Sequence, residues 1–186
     1  MRWRDIPNII SLIRIGLVLP IVMLLMEEHY TTALIMLFVA GASDALDGYL
    51  AKRNGWTSRI GSILDPVADK LLLVSSFLVL GWMGHIPLWL VAGIVARDVV
   101  ILLGAAAYHF LIGHYEMAPS WISKTNTFAQ ILLGLTVVLS LSIVTLPSVF
   151  IDGLVYMVVV TTVMSGADYV WTWGRRALDA KSRRHV

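Results

Sequence analysis

Six long apolar runs alternate with short polar connections, at roughly residues 8 to 26, 32 to 51, 63 to 83, 88 to 112, 123 to 146 and 149 to 173. Each is close to the ~20 residues an α-helix needs to cross the hydrocarbon core of a bilayer. The pattern predicts an all-α integral membrane protein of six transmembrane helices, a single domain over 1–186 with nothing left for a soluble domain. Two of the runs are interrupted by acids: Asp44 and Asp47 in the second, Asp65 and Asp69 in the third. An Asp in hydrocarbon costs about 2.5 to 3.5 kcal/mol on insertion scales, so four of them are expected to face a polar interior and to meet a cation, a metal or a proton.

Composition agrees with the pattern. A chain with 58% hydrophobic and only 14% charged residues lies outside the range of soluble domains. The basic residues are sided. Arg2 and Arg4 precede the first run, Lys52, Arg53 and Arg59 join the second to the third, and Arg175, Arg176, Lys181, Arg183 and Arg184 follow the last. The opposite connections carry Glu27, Glu28 and Asp152 and no Lys or Arg. The positive-inside rule then puts both termini in the cytoplasm. The basic tail is expected to meet anionic lipid headgroups rather than nucleic acid. The first run has no small-residue cleavage site and reads as a permanent span, with a bacterial cytoplasmic membrane as the simplest location.

On helices, Asp44 and Asp47 are three residues apart and Asp65 and Asp69 four, so each pair shares one face. Capping would explain one Asp and not four at this spacing. Clustered carboxylates repel in low dielectric, and hard divalent cations with oxygen ligands neutralise them. The chain has no Cys, and no His lies in this stretch, which argues against zinc. Two divalent ions, Mg2+ or Mn2+, suit phosphoryl chemistry because they can clamp a diphosphate and help activate a hydroxyl. A carboxylate-lined cation transporter is the alternative of another class, but its acids should line a path across the bilayer, whereas these gather at one side beside basic residues.

The small residues Gly41, Ala42, Ser43, Gly48 and Ala51 surround the first pair, and either let helices approach or leave room for a base and a diphosphate. Other polar residues fall at the same depth: Asn8, Ser11 and Arg14 in the first run, and Ser123, Lys124, Asn126, Thr127 and Gln130 in the fifth. Arg14 and Lys124 are candidate anion binders, or else snorkel to the interface. Arg97, mid-run with Asp98 beside it, is expected to face the interior and an acidic or phosphate partner. Adjacent residues do not face each other on a helix, so Asp98 is not the expected partner. His29, His85, His109, His114 and His185 read as interfacial or solvated.

The segment Asp44-Ala-Leu-Asp47-Gly48-Tyr-Leu-Ala51-Lys52, eight further residues, then Gly61-Ser-Ile-Leu-Asp65-Pro-Val-Ala-Asp69 resembles the signature of the CDP-alcohol phosphotransferase family. One position departs: Lys52 stands where the family has Arg, keeping the charge without the bidentate fork, and Arg53 lies beside it. The resemblance implies a polar metal and nucleotide cavity open to the cytoplasmic side, and transfer of a substituted phosphate from a CDP-linked donor to a hydroxyl with release of CMP. By motif position, Asp44, Asp47, Asp65 and Asp69 hold the metals, Asp69 is also the catalytic base, and Gly48, Ala51, Lys52 and Gly61 line the nucleotide and diphosphate. It also implies a homodimer.

Outside the signature, Ile6-Pro7-Asn8 with Ser11 and Arg14, Arg97-Asp98, and Pro119 to Gln130 resemble the phosphatidylglycerol and cardiolipin branch of that family. Its members take CDP-diacylglycerol as donor and either phosphatidylglycerol or glycerol 3-phosphate as acceptor. Members using glycerol 3-phosphate usually carry Gly-Lys-x-Lys-Thr where this chain has Ser123-Lys124-Thr125-Asn126-Thr127. One cation fewer suits the monoanionic diester, so phosphatidylglycerol is the expected acceptor and glycerol 3-phosphate the alternative. Asn8, Arg14, Arg97, Ser123, Lys124 and Asn126 are the candidate acceptor or anion-binding residues.

Overall fold

The computed structural model describes the backbone over residues 6–54, 61–111 and 120–182, and side chains over 9–43, 65–104 and 120–172. Six helices and no strand occur among the described residues: α1 (Ile6–Met26), α2 (Tyr30–Asn54), α3 (Gly61–Trp82), α4 (Leu88–Leu111), α5 (Trp121–Ser142) and α6 (Ser148–Ser182). Each apolar run has become one helix. Pro20 and Pro66 lie inside α1 and α3, which membrane helices tolerate because neighbouring groups re-satisfy the freed carbonyl.

Two boundaries differ from expectation by more than three residues. α5 stops at Ser142 rather than near 146, because Pro147 disfavours the helical conformation of the residue before it, and the Leu146 amide donates to Ser140 Oγ at 3.1 Å instead of to a helical carbonyl. α6 continues to Ser182, past the end of its apolar run. Hydropathy marks where a span ends, whereas Arg175, Arg176, Ala177, Leu178 and Ala180 are good helix formers and carry the helix on past Gly174.

The helix ends are closed by the backbone itself. After α1, Glu28 N donates to Leu25 O at 3.2 Å and His29 N to Leu24 O at 2.8 Å, the crossed pair of a Schellman turn, with Glu28 left-handed at φ 61°. After α3 the same turn recurs with Gly84 at φ 82°, Gly84 N to Gly81 O and His85 N to Leu80 O. There glycine takes the left-handed position without a Cβ penalty.

The chain divides into two compact units. The first comprises residues 1–88 and 134–151, and in it α1 packs on both α2 and α3. Its buried side chains include Ile21, Leu25, Ala33, Ala40, Ala68, Phe77 and Leu80. Phe77 lies so near Gly134 that a Cβ there would sit 3.3 Å from its ring. The second unit comprises residues 89–133 and 152–186, with Leu90, Val91, Ile94, Ala129, Leu133, Val155 and Val158 buried.

In both units large apolar side chains point outward, among them Leu12, Leu19 and Phe38 in the first and Leu102, Phe128 and Val163 in the second. In water such a surface would drive association. Ile9–Met26, Trp121–Ser142 and Ser148–Thr172 are long and apolar enough to cross a membrane, and Tyr30–Ser43 forms a shorter apolar segment.

Candidate active site

In the first unit, α3 carries Asp65 and Asp69 one turn apart and α1 meets both. Ser11 Oγ donates to Asp65 Oδ1, and Arg14 Nη1 donates to Asp69 Oδ1 at 2.7 Å. Ser11 and Arg14 are three residues apart on α1, so one face of α1 is matched rung for rung to one face of α3. The two partners of the ion pair differ in exposure. Arg14 is 2% exposed, while the Asp69 side chain is 41% exposed. The guanidinium is held inside and the carboxylate stays reachable. Arg14 therefore does not snorkel to an interface.

Asp44, Asp47, Gly48, Ala51 and Lys52 all belong to α2, whose helical backbone keeps Asp44 and Asp47 on one face. Their side chains lie outside the described residues, as do those of Asn8 in the first turn of α1 and of Gly61, the first residue of α3. Just before the α2 pair, Ser43 Oγ turns back onto Ala40 O at 2.9 Å. At Gly41 a Cβ would meet nothing within 4 Å among the described residues.

Among the described residues no three His, Cys, Asp or Glu side chains gather as a metal site. The four expected carboxylates fall two on α3, within that set, and two on α2, outside it. What is described fits a hard divalent cation: two oxygen donors one turn apart, one of them half-open, with no soft ligand.

At the other end of α1 and α3, Tyr30 Oη and His85 Nε2 are 3.1 Å apart with the rings edge to face. Burial, and then Glu28, raise the Tyr30 pKa, which keeps the phenol protonated. His85 is thus half-buried and hydrogen-bonded rather than freely solvated.

The second unit holds its own polar group. Arg97 is buried and bonded through all three guanidinium nitrogens: Nη1 to Asp98 Oδ1 at 2.6 Å, Nη2 to Ser123 Oγ at 2.6 Å, and Nε to Ser165 Oγ at 3.2 Å. The expected acidic partner exists, but it is the adjacent Asp98, which the helix-spacing argument had set aside. Neighbouring Cβ atoms point apart on a helix. The Arg side chain, with four rotatable bonds and a forked head, is long enough to curl back across the 100° between neighbours.

Ser120 Oγ accepts from Ser123 N at 3.3 Å, an N-cap that starts α5 and sets Ser123 towards Arg97. Asn126 is fully buried, and its Oδ1 accepts from Thr161 at 2.9 Å and Thr162 at 3.0 Å. Asn126 Nδ2 and Gln130 Nε2, one turn along α5, are buried without a hydrogen-bond partner among the described residues. Lys124 is exposed and lies 5.0 Å over the Trp121 ring, the placement of an interfacial cation. Thr161, Thr162 and Ser165 are not among the sequence candidates. Their three- and four-residue spacing within an apolar run was the available signal.

These residues and spacings have a counterpart among known proteins. The chain belongs to the CDP-alcohol phosphatidyltransferase family, whose model matches residues 4–172. The family is membrane-embedded and generally depends on a divalent metal, and the chain is accordingly a membrane protein.

Several relatives are named as cardiolipin synthases. Cardiolipin synthase (CMP-forming) of Streptomyces coelicolor is 36% identical over 135 residues, covering 68% of this chain and 61% of that protein. The enzyme of that name from Rattus norvegicus is 33% identical over 146 residues, covering 69% and 48%. A probable cardiolipin synthase (CMP-forming) of Drosophila melanogaster is 33% identical over 185 residues, covering 89% and 56%. The chain thus spans between 48% and 61% of the length of these relatives.

Proposed function

We propose that this protein transfers the phosphatidyl group of CDP-diacylglycerol to a hydroxyl of phosphatidylglycerol, releasing CMP and forming cardiolipin. The observation that carries the reading is the α1 to α3 comb, in which two carboxylates of the family motif are held one turn apart by Ser11 and Arg14. The names of the relatives support the choice of acceptor.

Asp44, Asp47, Asp65 and Asp69 would hold two divalent ions, Mg2+ or Mn2+. Bound there, the ions supply charge neutralisation for the diphosphate and its leaving group. Gly48, Ala51, Lys52 and Gly61 line the nucleotide and diphosphate. The acceptor hydroxyl is a poor nucleophile at neutral pH, and the half-open Asp69 carboxylate takes its proton as the new bond to phosphorus forms. The bond between that phosphorus and the CMP oxygen breaks, and CMP leaves with the electron pair. In the second unit, Ser123, Lys124 and Asn126 are the candidate acceptor contacts. Arg97, already bonded to Asp98, Ser123 and Ser165, serves better as a brace for Ser123 than as an anion ligand.

The reading includes six spans, cytoplasmic termini in a bacterial inner membrane, a cavity open to the cytoplasm and a homodimer. The test is incubation of purified protein with CDP-diacylglycerol and both acceptors, with mass identification of the lipid product. Cardiolipin is expected. Phosphatidylglycerophosphate alone would overturn the acceptor and leave the transfer standing.

A further inference from the structure

Arg14 has no part in the reaction outlined above, and its geometry gives it one. Its guanidinium is a cation. It is 2% exposed and bonded to Asp69 at 2.7 Å, so it cannot reach a ligand without leaving the carboxylate and opening the α1 to α3 pairing. It sits behind Asp69, on the protein side, while the carboxylate itself stays reachable. A cation in that place does two things to a dication arriving at Asp69. It has already supplied part of the counter-charge that the dication would bring, and it repels the dication at short range.

We propose that Arg14 is the resident counter-cation of Asp69, a positioning residue that holds this carboxylate oriented and makes metal loading depend on the anionic donor. The inference rests on the reading of Asp69 as part of the metal site. Four carboxylates and two dications cancel, so Arg14 leaves this group, once loaded, with one net positive charge. A CDP-linked diphosphate is the anion that charge suits. Metal and donor then each strengthen the other's binding, because a coupling between two ligands is reciprocal. Without the donor, Arg14 holds metal affinity down. Ser11 makes the neighbouring contact to Asp65 as a neutral hydroxyl and has no such effect.

The experiment is Mn2+ binding to the full chain in detergent, read by the electron paramagnetic resonance of free Mn2+, with and without CDP-diacylglycerol. In the wild type the donor should tighten Mn2+ binding. Arg14→Gln should bind Mn2+ alone about tenfold more tightly and lose most of the donor's effect, as expected when a like charge at short range is removed. Arg14→Lys, which keeps the charge, should behave as the wild type does. Arg14→Gln binding Mn2+ no more tightly than wild type would overturn the proposal, and so would an Arg14→Lys that loses the donor effect. Should Arg14→Gln not fold, a wild type whose Mn2+ affinity ignores the donor is equally fatal. A wild type that binds no Mn2+ under either condition defeats the metal-site reading itself, a result distinct from the others.

Discussion

Asp98 adjoins Arg97 in sequence and contacts it in space at 2.6 Å, and both are buried, so the pair stands or falls together. Asp98→Asn would leave a guanidinium in the interior with no opposite charge at that distance. Removing one partner of a buried pair costs about 3 to 5 kcal/mol. A large drop in the thermal unfolding midpoint is expected, and a midpoint near wild type would show the pair to be solvated. Ser165→Ala should cost about 1.5 to 3 kcal/mol, the range for a hydrogen bond to a charged group, because Ser165 Oγ accepts from the buried Arg97 guanidinium.

Asn126 gives the second prediction at this scale. A Lys there would enter a fully buried position between Thr161 and Thr162, so Asn126→Lys should lower stability through burial of an ammonium. The preference of the unmodified protein between phosphatidylglycerol and glycerol 3-phosphate is therefore the cleaner test of acceptor choice.

The signature aspartates stand out in the sequence because an acid in an apolar run is costly unless it is compensated. The hydroxyls do not. A Ser or Thr in a membrane helix bonds its own backbone at little cost, as Ser76 does to Leu72 O and Thr127 to Ser123 O. Ser165, Thr161 and Thr162 could therefore be told from such residues only once their partners on other helices were in place.

At the scale of elements, all six helices were legible from hydropathy, since long apolar runs in a membrane protein have one backbone solution. Their ends were less so. The stop of α5 at Ser142 depends on Pro147 and a side-chain contact six residues apart in sequence, and the length of α6 depends on helix propensity after hydropathy has run out.

The Schellman turn after α1 offers a test. Glu28 is left-handed at φ 61° with a Cβ, a conformation that costs an L-residue roughly 1 to 2 kcal/mol. Glu28→Gly should raise the unfolding midpoint, whereas Gly84→Ala, which places a Cβ on the same geometry after α3, should lower it. Equal midpoints for the two variants would count against backbone strain as the cause.

At the scale of the whole molecule, many large apolar side chains among the described residues are exposed, and Lys and Arg outside the apolar runs gather before the first run, between the second and third, and after the last. Single cysteines report topology cleanly because the chain has none of its own. A Cys replacing His185 should resist an impermeant thiol reagent in intact cells and react once the membrane is permeabilised. Labelling of intact cells would reverse the orientation and move the aspartates to the outer half of the bilayer.

The central claim is that the carboxylates of α2 and α3 perform a metal-dependent phosphatidyl transfer. It is tested most directly by CMP release from CDP-diacylglycerol by the reconstituted protein supplied with phosphatidylglycerol, before and after exhaustive chelation and with Asp69→Asn in parallel. Release should vanish on chelation and return with Mg2+ or Mn2+. The Asp69→Asn protein should bind the donor and release CMP at least about a hundredfold more slowly, the low end of what a lost general base costs. Unchanged CMP release without metal, or full turnover by Asp69→Asn, would contradict the account.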